Sequence, residues 1–254
     1  MMTITDNKKL RGKLRFDEPM SKHTTWRAGG LAKCYFRPAD IEDLVEFLAQ
    51  TSVDEELVWL GLGSNLLVRD GGIPGSVISM QGVNQNLEMN STDRVLVDAG
   101  VTCAKMARFC ARNRLLGSEF LAGIPGTVGG ALAMNAGAFG GETWDYVVEV
   151  ETIDRQGNRV KRKPEEYAVG YRSIKAKTQT ENDEWFISAL FCFGKSTEET
   201  GVIDIKALLD KRGKSQPIGL PSCGSVFTNP DGDHAARLIE ASGLKGYCHG
   251  KACV

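Results

Sequence analysis

The 254-residue sequence lacks any apolar run of the roughly 18 residues that a membrane-spanning helix needs. No signal peptide follows Met1, so we expect a cytoplasmic protein. Lysine and arginine number 31 against 32 acidic residues, and the net charge of −1 provides no basic field for nucleic acid or an anionic membrane. We therefore expect neither as a partner, and the oligomeric state stays open.

Metal and disulfide motifs are lacking too. The seven cysteines include no Cys-x-x-Cys pair, which is typical of free thiols in a reducing cytosol. His23, His234 and His249 are too scattered for a metal site, and nothing completes a tetrahedral ligand set around Cys248 and Cys253. We expect no bound metal.

Glycine is the residue in excess, at 29 of 254 or about 11% against a usual ~7%. The otherwise ordinary composition, 42% hydrophobic and 25% charged, is typical of a globular protein. An excess of glycine indicates that main chain approaches something closely, either another segment or a ligand.

Strands and helices are interleaved without a strict repeat, which predicts an α+β fold in at least two parts. Asp40 and Thr102 are predicted N-caps of two helices, and Gly243 a left-handed C-cap of a third that begins at His234. A fourth helix is predicted over Ile205–Arg212, after a linker at Lys195–Thr200. The predicted strands are Leu57–Leu60, Val77–Met80, Val95–Val97, Val148–Glu151 and Trp185–Phe193.

A first glycine-rich segment directly follows the predicted strand Leu57–Leu60 and reads Gly61-Leu62-Gly63-Ser64-Asn65-Leu66-Leu67. Without Cβ atoms, its consecutive N–H groups can converge on a phosphate, and Ser64 and Asn65 add side-chain donors. It is neither a Walker loop, which ends in Lys-Ser/Thr, nor a dinucleotide fingerprint, because a leucine replaces the third glycine. A tight turn between strands is the alternative.

A second glycine-rich segment covers residues 123–140. Pro125 is predicted to lie at a helix start, and the small residues behind it would leave one side of that helix bare. Such a face admits a flat ligand or a neighbouring backbone, and the helix N-terminus favours a pyrophosphate. Close packing is the alternative, but each glycine costs a helix ~1 kcal/mol relative to alanine, which favours a ligand.

Five ordered motifs make the chain similar to one family. They are Ser21-x-His23-Thr24-Thr25 with Gly29-Gly30, the two glycine-rich segments, Gly170-Tyr171-Arg172, and Gln216-Pro217 running into Pro221-Ser222-Cys223-Gly224-Ser225-Val226-Phe227-Thr228-Asn229-Pro230. Together they resemble the UDP-N-acetylenolpyruvoylglucosamine reductase (MurB) family, in its second subtype, over roughly Ser21–Val254.

The resemblance implies a fold and an activity. The fold is an FAD-binding unit of the vanillyl-alcohol-oxidase (PCMH) type at 21–195, with two α+β subdomains at about 21–85 and 86–195. It follows an N-terminal arm at 1–20 and precedes an incomplete substrate domain at 200–254. The activity is NADPH-dependent reduction of UDP-N-acetyl-3-O-(1-carboxyvinyl)-glucosamine to UDP-N-acetylmuramate for peptidoglycan.

The resemblance also implies roles for individual residues. Arg172 and Ser225 match catalytic positions, and Tyr171, Arg172 and Asn229 match substrate-binding positions. The residues that match the FAD site are Gly61, Gly63, Ser64, Asn65, Leu66, Leu67, Gly123, Ile124, Pro125, Gly126, Thr127, Gly129, Gly130, Asn135, Ala136 and Gly137.

The chemistry of the two catalytic positions suits the implied reaction. A guanidinium can grip the substrate carboxylate in two places and counter its growing charge, as expected of Arg172. A positioned hydroxyl such as that of Ser225 can protonate a strongly basic enolate carbon. Without the resemblance, a surface salt bridge and a turn residue would be the alternatives for these two positions.

Two departures from the family pattern affect the expected activity. Thr228 stands where the family commonly has lysine, and no residue up to Val254 matches the catalytic glutamate with which the family's last strand–helix–strand stretch ends. We therefore expect a chain that binds FAD but reduces substrate poorly. A non-catalytic flavin-binding remnant and another flavin oxidase of the same fold are the alternative functions.

Overall fold

A computed structural model describes residues 10–178, 183–196, 205, 207–210, 221–222 and 224–254. In chain order, the strands β1–β17 are Lys13–Pro19, Leu31–Arg37, Leu57–Leu60, Ile73–Ser79, Leu87–Met89, Arg94–Asp98, Leu115–Leu116, Gly137–Ala138, Gly141–Glu142, Val147–Asp154, Arg159–Arg162, Tyr167–Gly170, Ser173–Ala176, Glu184–Cys192, Gly194–Lys195, Cys248–His249 and Ala252–Cys253. The helices α1–α4 are Ile41–Ala49, Cys103–Arg112, Val128–Ala133 and Ala235–Ala241.

Some predictions fall partly on positions outside this range. They are the end of the predicted linker (197–200), the motif residues Gln216, Pro217 and Cys223, and parts of the predicted helix Ile205–Arg212. Within that helix, positions 205 and 207–210 are helical. In the described part of the chain, no helix is both long and apolar enough to cross a membrane.

The first sheet has four strands in the order β1-β2-β4-β3. β1 and β2 are antiparallel, whereas β2, β4 and β3 are parallel, because α1 carries the chain across from β2 to β3. As predicted, Asp40 caps α1: its carboxylate accepts a hydrogen bond from the Asp43 amide at 2.9 Å. The sheet already starts within the predicted N-terminal arm, since β1 lies at 13–19 and Met20 is completely buried.

The second sheet has five antiparallel strands in the order β11-β10-β14-β6-β5. Thr102 caps α2 as predicted, and the buried face of α2 carries Met106 and Cys110. This face packs with α3 and the sheet in one hydrophobic cluster. The two sheets with their helices confirm the predicted α+β class.

The cysteines show a correction. Cys248 and Cys253 were expected to be free, but they form a disulfide, because the β16–β17 hairpin places them directly opposite each other with Cα atoms 4.1 Å apart. Cys34, Cys103, Cys110 and Cys192 are free thiols. Burial raises the pKa of both Cys103 and Cys110 to about 12, so these two remain protonated at neutral pH.

Candidate functional site

The two glycine-rich segments lie side by side, although one follows the first sheet and the other packs on the second. A Cβ atom at Gly61 would lie 2.6 Å from the Thr127 hydroxyl, and one at Gly126 would lie 3.9 Å from the Ser64 hydroxyl. We call residues 61–67 and 123–130 the glycine cleft. No charged residue occurs in either stretch, so its polar groups are main-chain amides and short side chains.

The first segment has the form of an anion cradle. Within the described chain, the four consecutive amides of residues 62–65 have no hydrogen-bond acceptor. Gly63 has a φ of +66°, and a Cβ atom there would lie 2.0 Å from the carbonyl oxygen of His23. Glycine is therefore required at this position, and the free amides can converge on a phosphate.

The second segment shows a correction to the predicted helix start. α3 begins at Val128, three residues after Pro125, with Thr127 as its N-cap. The Thr127 hydroxyl accepts from the Gly130 amide at 3.3 Å, and the Gly126 carbonyl accepts from the Cys103 amide at 3.0 Å. These bonds hold residues 126–127 at the start of α2, and Pro125 is exposed.

The small residues of α3 were predicted to serve either close packing or a ligand, and the structure shows a different situation for each glycine. Gly129 serves close packing, because a Cβ atom there would lie 2.9 Å from Ala99 Cβ. Gly130 instead is exposed, with its nearest described neighbour, the Thr127 hydroxyl, 3.7 Å from the Cβ position. The side of α3 that carries Gly130 is therefore open to a ligand, as is Gly126 before it.

The last predicted cofactor residues, Asn135, Ala136 and Gly137, have polar groups that are used inside the chain. Buried Asn135 donates to Glu142 Oε2 at 2.8 Å and accepts from the Trp144 amide at 3.1 Å. The Ala136 carbonyl accepts from the Thr143 hydroxyl at 2.6 Å, and Gly137 pairs with Glu142 in β8–β9. These bonds shape the wall of the cleft, and direct contact of the three residues with a cofactor stays a prediction.

Arg172 supplies the charge that the glycine cleft lacks. It lies in the two-residue turn between β12 and β13, beside the 56%-exposed Tyr171, and has a φ of +52°. Its Nη2 donates to Asn65 Oδ1 at 2.9 Å, and its Nη1 donates to the carbonyl oxygen of Ser225 at 3.1 Å. A left-handed, non-glycine residue in such a turn costs about 1–2 kcal/mol, which is typical of functional positions.

Ser225 lies in an exposed stretch, residues 221–222 and 224–229, which we call the Ser225 segment. The Thr25 hydroxyl donates to the Ser222 carbonyl at 2.8 Å, so the segment contacts both Thr25 and Arg172. Asn229 Oδ1 accepts from the Ala235 amide at 3.1 Å, at the start of α4. The structure thus brings Ser225, Arg172 and Asn65 together, whereas Asn229 organises the helix that follows.

Sequence reasoning missed the contribution of Thr25 and the bond between Asn65 and Arg172. Thr25 belongs to the Ser21-x-His23-Thr24-Thr25 motif, so the motif itself was a signal, but it indicated no contact. The Asn65–Arg172 bond joins residues 107 apart in sequence, and the Thr25–Ser222 bond joins residues 197 apart. Local patterns carry no information on pairs at such separations.

Two protein-family models match the chain. The first is described as an FAD binding domain and matches residues 32–162, which include the whole glycine cleft and four of the five strands of the second sheet. The second is described as the C-terminal domain of UDP-N-acetylenolpyruvoylglucosamine reductase and matches residues 216–254, which include the Ser225 segment.

Curated relatives agree with these matches. Proteins named UDP-N-acetylenolpyruvoylglucosamine reductase from Alkalilimnicola ehrlichii and Legionella pneumophila (strain Corby) are both 53% identical to this chain, over 243 and 244 residues. One from Coxiella burnetii (strain CbuK_Q154) is 50% identical over 263 residues. In each comparison 96% of this chain is covered, against 80%, 78% and 82% of the three relatives respectively.

A solved structure shares the fold. The crystal structure of UDP-N-acetylenolpyruvylglucosamine reductase from Thermus caldophilus matches with a TM-score of 0.79 at 30% sequence identity. The match covers 96% of this chain and 85% of that one.

Proposed function

The chain belongs to the UDP-N-acetylenolpyruvoylglucosamine reductase family, and from that premise we propose the reaction it performs. It binds FAD and reduces the enolpyruvyl double bond of UDP-N-acetyl-3-O-(1-carboxyvinyl)-glucosamine to give UDP-N-acetylmuramate. The observation that carries the proposal is the meeting of the uncharged glycine cleft with Arg172 and Ser225. The comparisons favour neither a flavin oxidase nor a non-catalytic remnant.

The glycine cleft fits a flavin dinucleotide. Its free amides at residues 62–65, together with Ser64 and Thr127, form a donor set suited to a pyrophosphate. Gly63 lets this main chain pack directly on that of His23, so a Cβ atom there would push the amides out of position. The open side at Gly126 and Gly130 leaves room for a flat ring system. The remaining predicted contacts, among them Leu66, Leu67, Gly123 and Ile124, belong to the same proposal.

Arg172 is proposed to bind the substrate carboxylate. Reduction adds a hydride at C3 of the enolpyruvyl group, so the electron pair of the double bond develops as charge on C2 and spreads into the carboxylate. Described residues take two of the five guanidinium N–H donors, and the others can face a carboxylate in a bidentate fork. A permanently charged group at this point stabilises the transition state more than the ground state.

Ser225 is proposed to donate the proton to C2, which completes the reduction and leaves the saturated lactyl ether. Its carbonyl oxygen accepts a hydrogen bond from Arg172, so the proposed proton donor lies next to the guanidinium that is proposed to bind the carboxylate. A hydroxyl needs no lowered pKa for this step, because a carbon with enolate character is a strong base and can take a proton from a weak acid. Tyr171 and Asn229 are proposed to contact the rest of the substrate.

Bound FAD supplies the hydride, and we propose that NADPH is the reductant of the flavin. This assignment rests on the family resemblance alone. A UDP-sugar substrate and a nicotinamide reductant would place the protein in the cytoplasm. The proposed units are an FAD-binding domain at 21–195, with subdomains at about 21–85 and 86–195, and a substrate domain at 200–254. Because β1 belongs to the first sheet, the first subdomain also includes residues 13–20.

The test follows the flavin spectrum. FAD-loaded protein is reduced anaerobically, either with NADPH or with dithionite, and is then mixed with the enolpyruvyl UDP-sugar. We expect the oxidised flavin absorbance to return only when the substrate is present, with UDP-N-acetylmuramate as the product. Rapid recovery of the oxidised flavin absorbance with oxygen, and none with substrate, would contradict the proposal and favour an oxidase. The preference for NADPH over NADH is measured in the reduction step.

A further inference from the structure

The Ser21–Thr25 motif has no role in the reaction proposed above, yet its last residue touches both parts of the site. Thr25 follows a 3-10 turn at Met20–Lys22, at the end of β1. Its main-chain amide donates to the Gly63 carbonyl at 3.1 Å, and its hydroxyl donates to the Ser222 carbonyl at 2.8 Å. One half-buried residue therefore links the anion cradle with the Ser225 segment.

The contact of Thr25 with Ser222 is connected to Ser225 through the short stretch of chain between them. The Ser222 carbonyl is held by Thr25, and the Ser222 hydroxyl accepts from the Gly224 amide at 3.2 Å, one residue before Ser225. Arg172 holds the Ser225 carbonyl from the other side. Because no described residue of the Ser225 segment is buried, burial of the described residues does not fix its position, and these polar contacts join it to the glycine cleft and Arg172.

The neighbouring hydroxyl of Thr24 makes a different kind of contact. It donates to the Ala28 carbonyl at 2.9 Å, within its own loop, and Thr24 is buried. Its loss would affect the stability of the loop, without breaking a bond to the Ser225 segment. Thr24 therefore provides a matched control for Thr25, one residue away and with the same side chain.

We infer that Thr25 is a positioning residue whose hydroxyl holds the Ser225 segment against the glycine cleft, so that the Ser225 hydroxyl is aimed at the bound substrate. The inference rests on the proposed function. The amide of Thr25 remains bonded to Gly63 whatever its side chain. The hydroxyl also lies 3.4 Å from the Gly63 carbonyl, but its shorter bond is to the Ser222 carbonyl at 2.8 Å, so its loss falls mainly on the Ser225 segment.

The experiment compares Thr25→Val, which keeps the shape but loses the donor, with Thr25→Ser, which keeps the donor. FAD content, dithionite reduction and substrate-dependent reoxidation are measured for each, together with hydrogen exchange of residues 224–227. We expect Thr25→Val to keep its FAD, to be reoxidised by substrate about tenfold more slowly, as the loss of one hydrogen bond implies, and to exchange faster at 224–227. Thr25→Ser should match the unmodified protein, and Thr24→Val should change thermal stability alone.

The outcomes separate this inference from the proposed function. If the unmodified protein is not reoxidised by substrate, the proposed function fails; hydrogen exchange still reports on the Thr25 contact. Equal reoxidation and exchange in Thr25→Val and the unmodified protein would overturn the inference, as would a Thr25→Ser protein as slow as Thr25→Val. Should Thr25→Val not fold, Thr25→Ala with the same readouts decides.

Discussion

Residues 10–196 contain three buried hydrophobic clusters, whereas no described residue from Pro221 to Val254 is buried. The glycine cleft belongs to the first region, and its two segments are held by sheets and helix caps on both sides. Ser225 belongs to the second, which contacts the first through hydrogen bonds such as those from Thr25 and Arg172. Under the proposed function, flavin binding and proton donation therefore depend on separate parts of the chain.

The largest effect is expected in the packed region, at Gly63. In Gly63→Ala, the new methyl group would lie 2.0 Å from the His23 carbonyl at a φ of +66°, which costs about 2–5 kcal/mol and forces the main chain of the cradle to move. We expect the variant to lose FAD, as measured by flavin absorbance per chain. Gly71→Ala is the control, because nothing lies within 4 Å of its Cβ position; an FAD-replete Gly63→Ala would show that the cradle is elsewhere.

Ser225→Ala tests the exposed region. We expect normal FAD content and normal reduction, because no hydrogen bond of the Ser225 side chain supports the cleft among described residues. Substrate-dependent reoxidation should fall about 10²–10⁴-fold, the contribution typical of a general acid. Loss of FAD in this variant would show that the two regions are not separable.

Arg172→Lys tests the contact where the two regions meet. A lysine keeps the charge but lacks the planar two-point fork that can hold a carboxylate beside the bonds to Asn65 and Ser225, so kcat/KM for the enolpyruvyl sugar should fall about 10²–10³-fold. The FAD content should be unchanged. Steady-state kinetics with near-normal kcat/KM would rule out the carboxylate clamp.

The smallest effect is expected at the C-terminal hairpin. Cys248→Ser removes a disulfide between two residues that are only five apart in sequence, on an exposed hairpin. Because a short loop loses little entropy when it is closed, the effect on the melting temperature should be slight. FAD content and flavin reduction should equal those of the unmodified protein. A marked loss of bound FAD would show that the hairpin supports the cleft after all.

The sequence predicted the elements that local signals define. Asp40, Thr102 and Gly243 mark helix ends by their own side chain or backbone freedom, and all three do so in the structure. The predicted helix start at Pro125 was wrong, because the N-cap hydrogen bond of Thr127 and the bond from Gly126 to α2 set the start of α3 at Val128. The Cys248–Cys253 pair was missed, because pairing depends on the register of a two-residue hairpin.

The candidate site was predictable in its members but not in its arrangement. Glycine density and the family motifs indicated both cleft segments, Arg172 and Ser225. The left-handed backbone of Arg172 has no sequence signal, since glycine or asparagine is usual at such a turn position. The link from Thr25 through Ser222 to Ser225 depends on a hydrogen bond between residues 197 apart in sequence, which no local pattern indicates.

The most direct test of the account is a titration of the purified chain with FAD, followed by the flavin absorbance that remains with the protein after gel filtration. If the glycine cleft is the cofactor site, one FAD is retained per chain, and Gly71→Ala retains the same amount while Gly63→Ala retains none. A chain that stays colourless with excess FAD would contradict the account, and with it the roles given to Arg172 and Ser225.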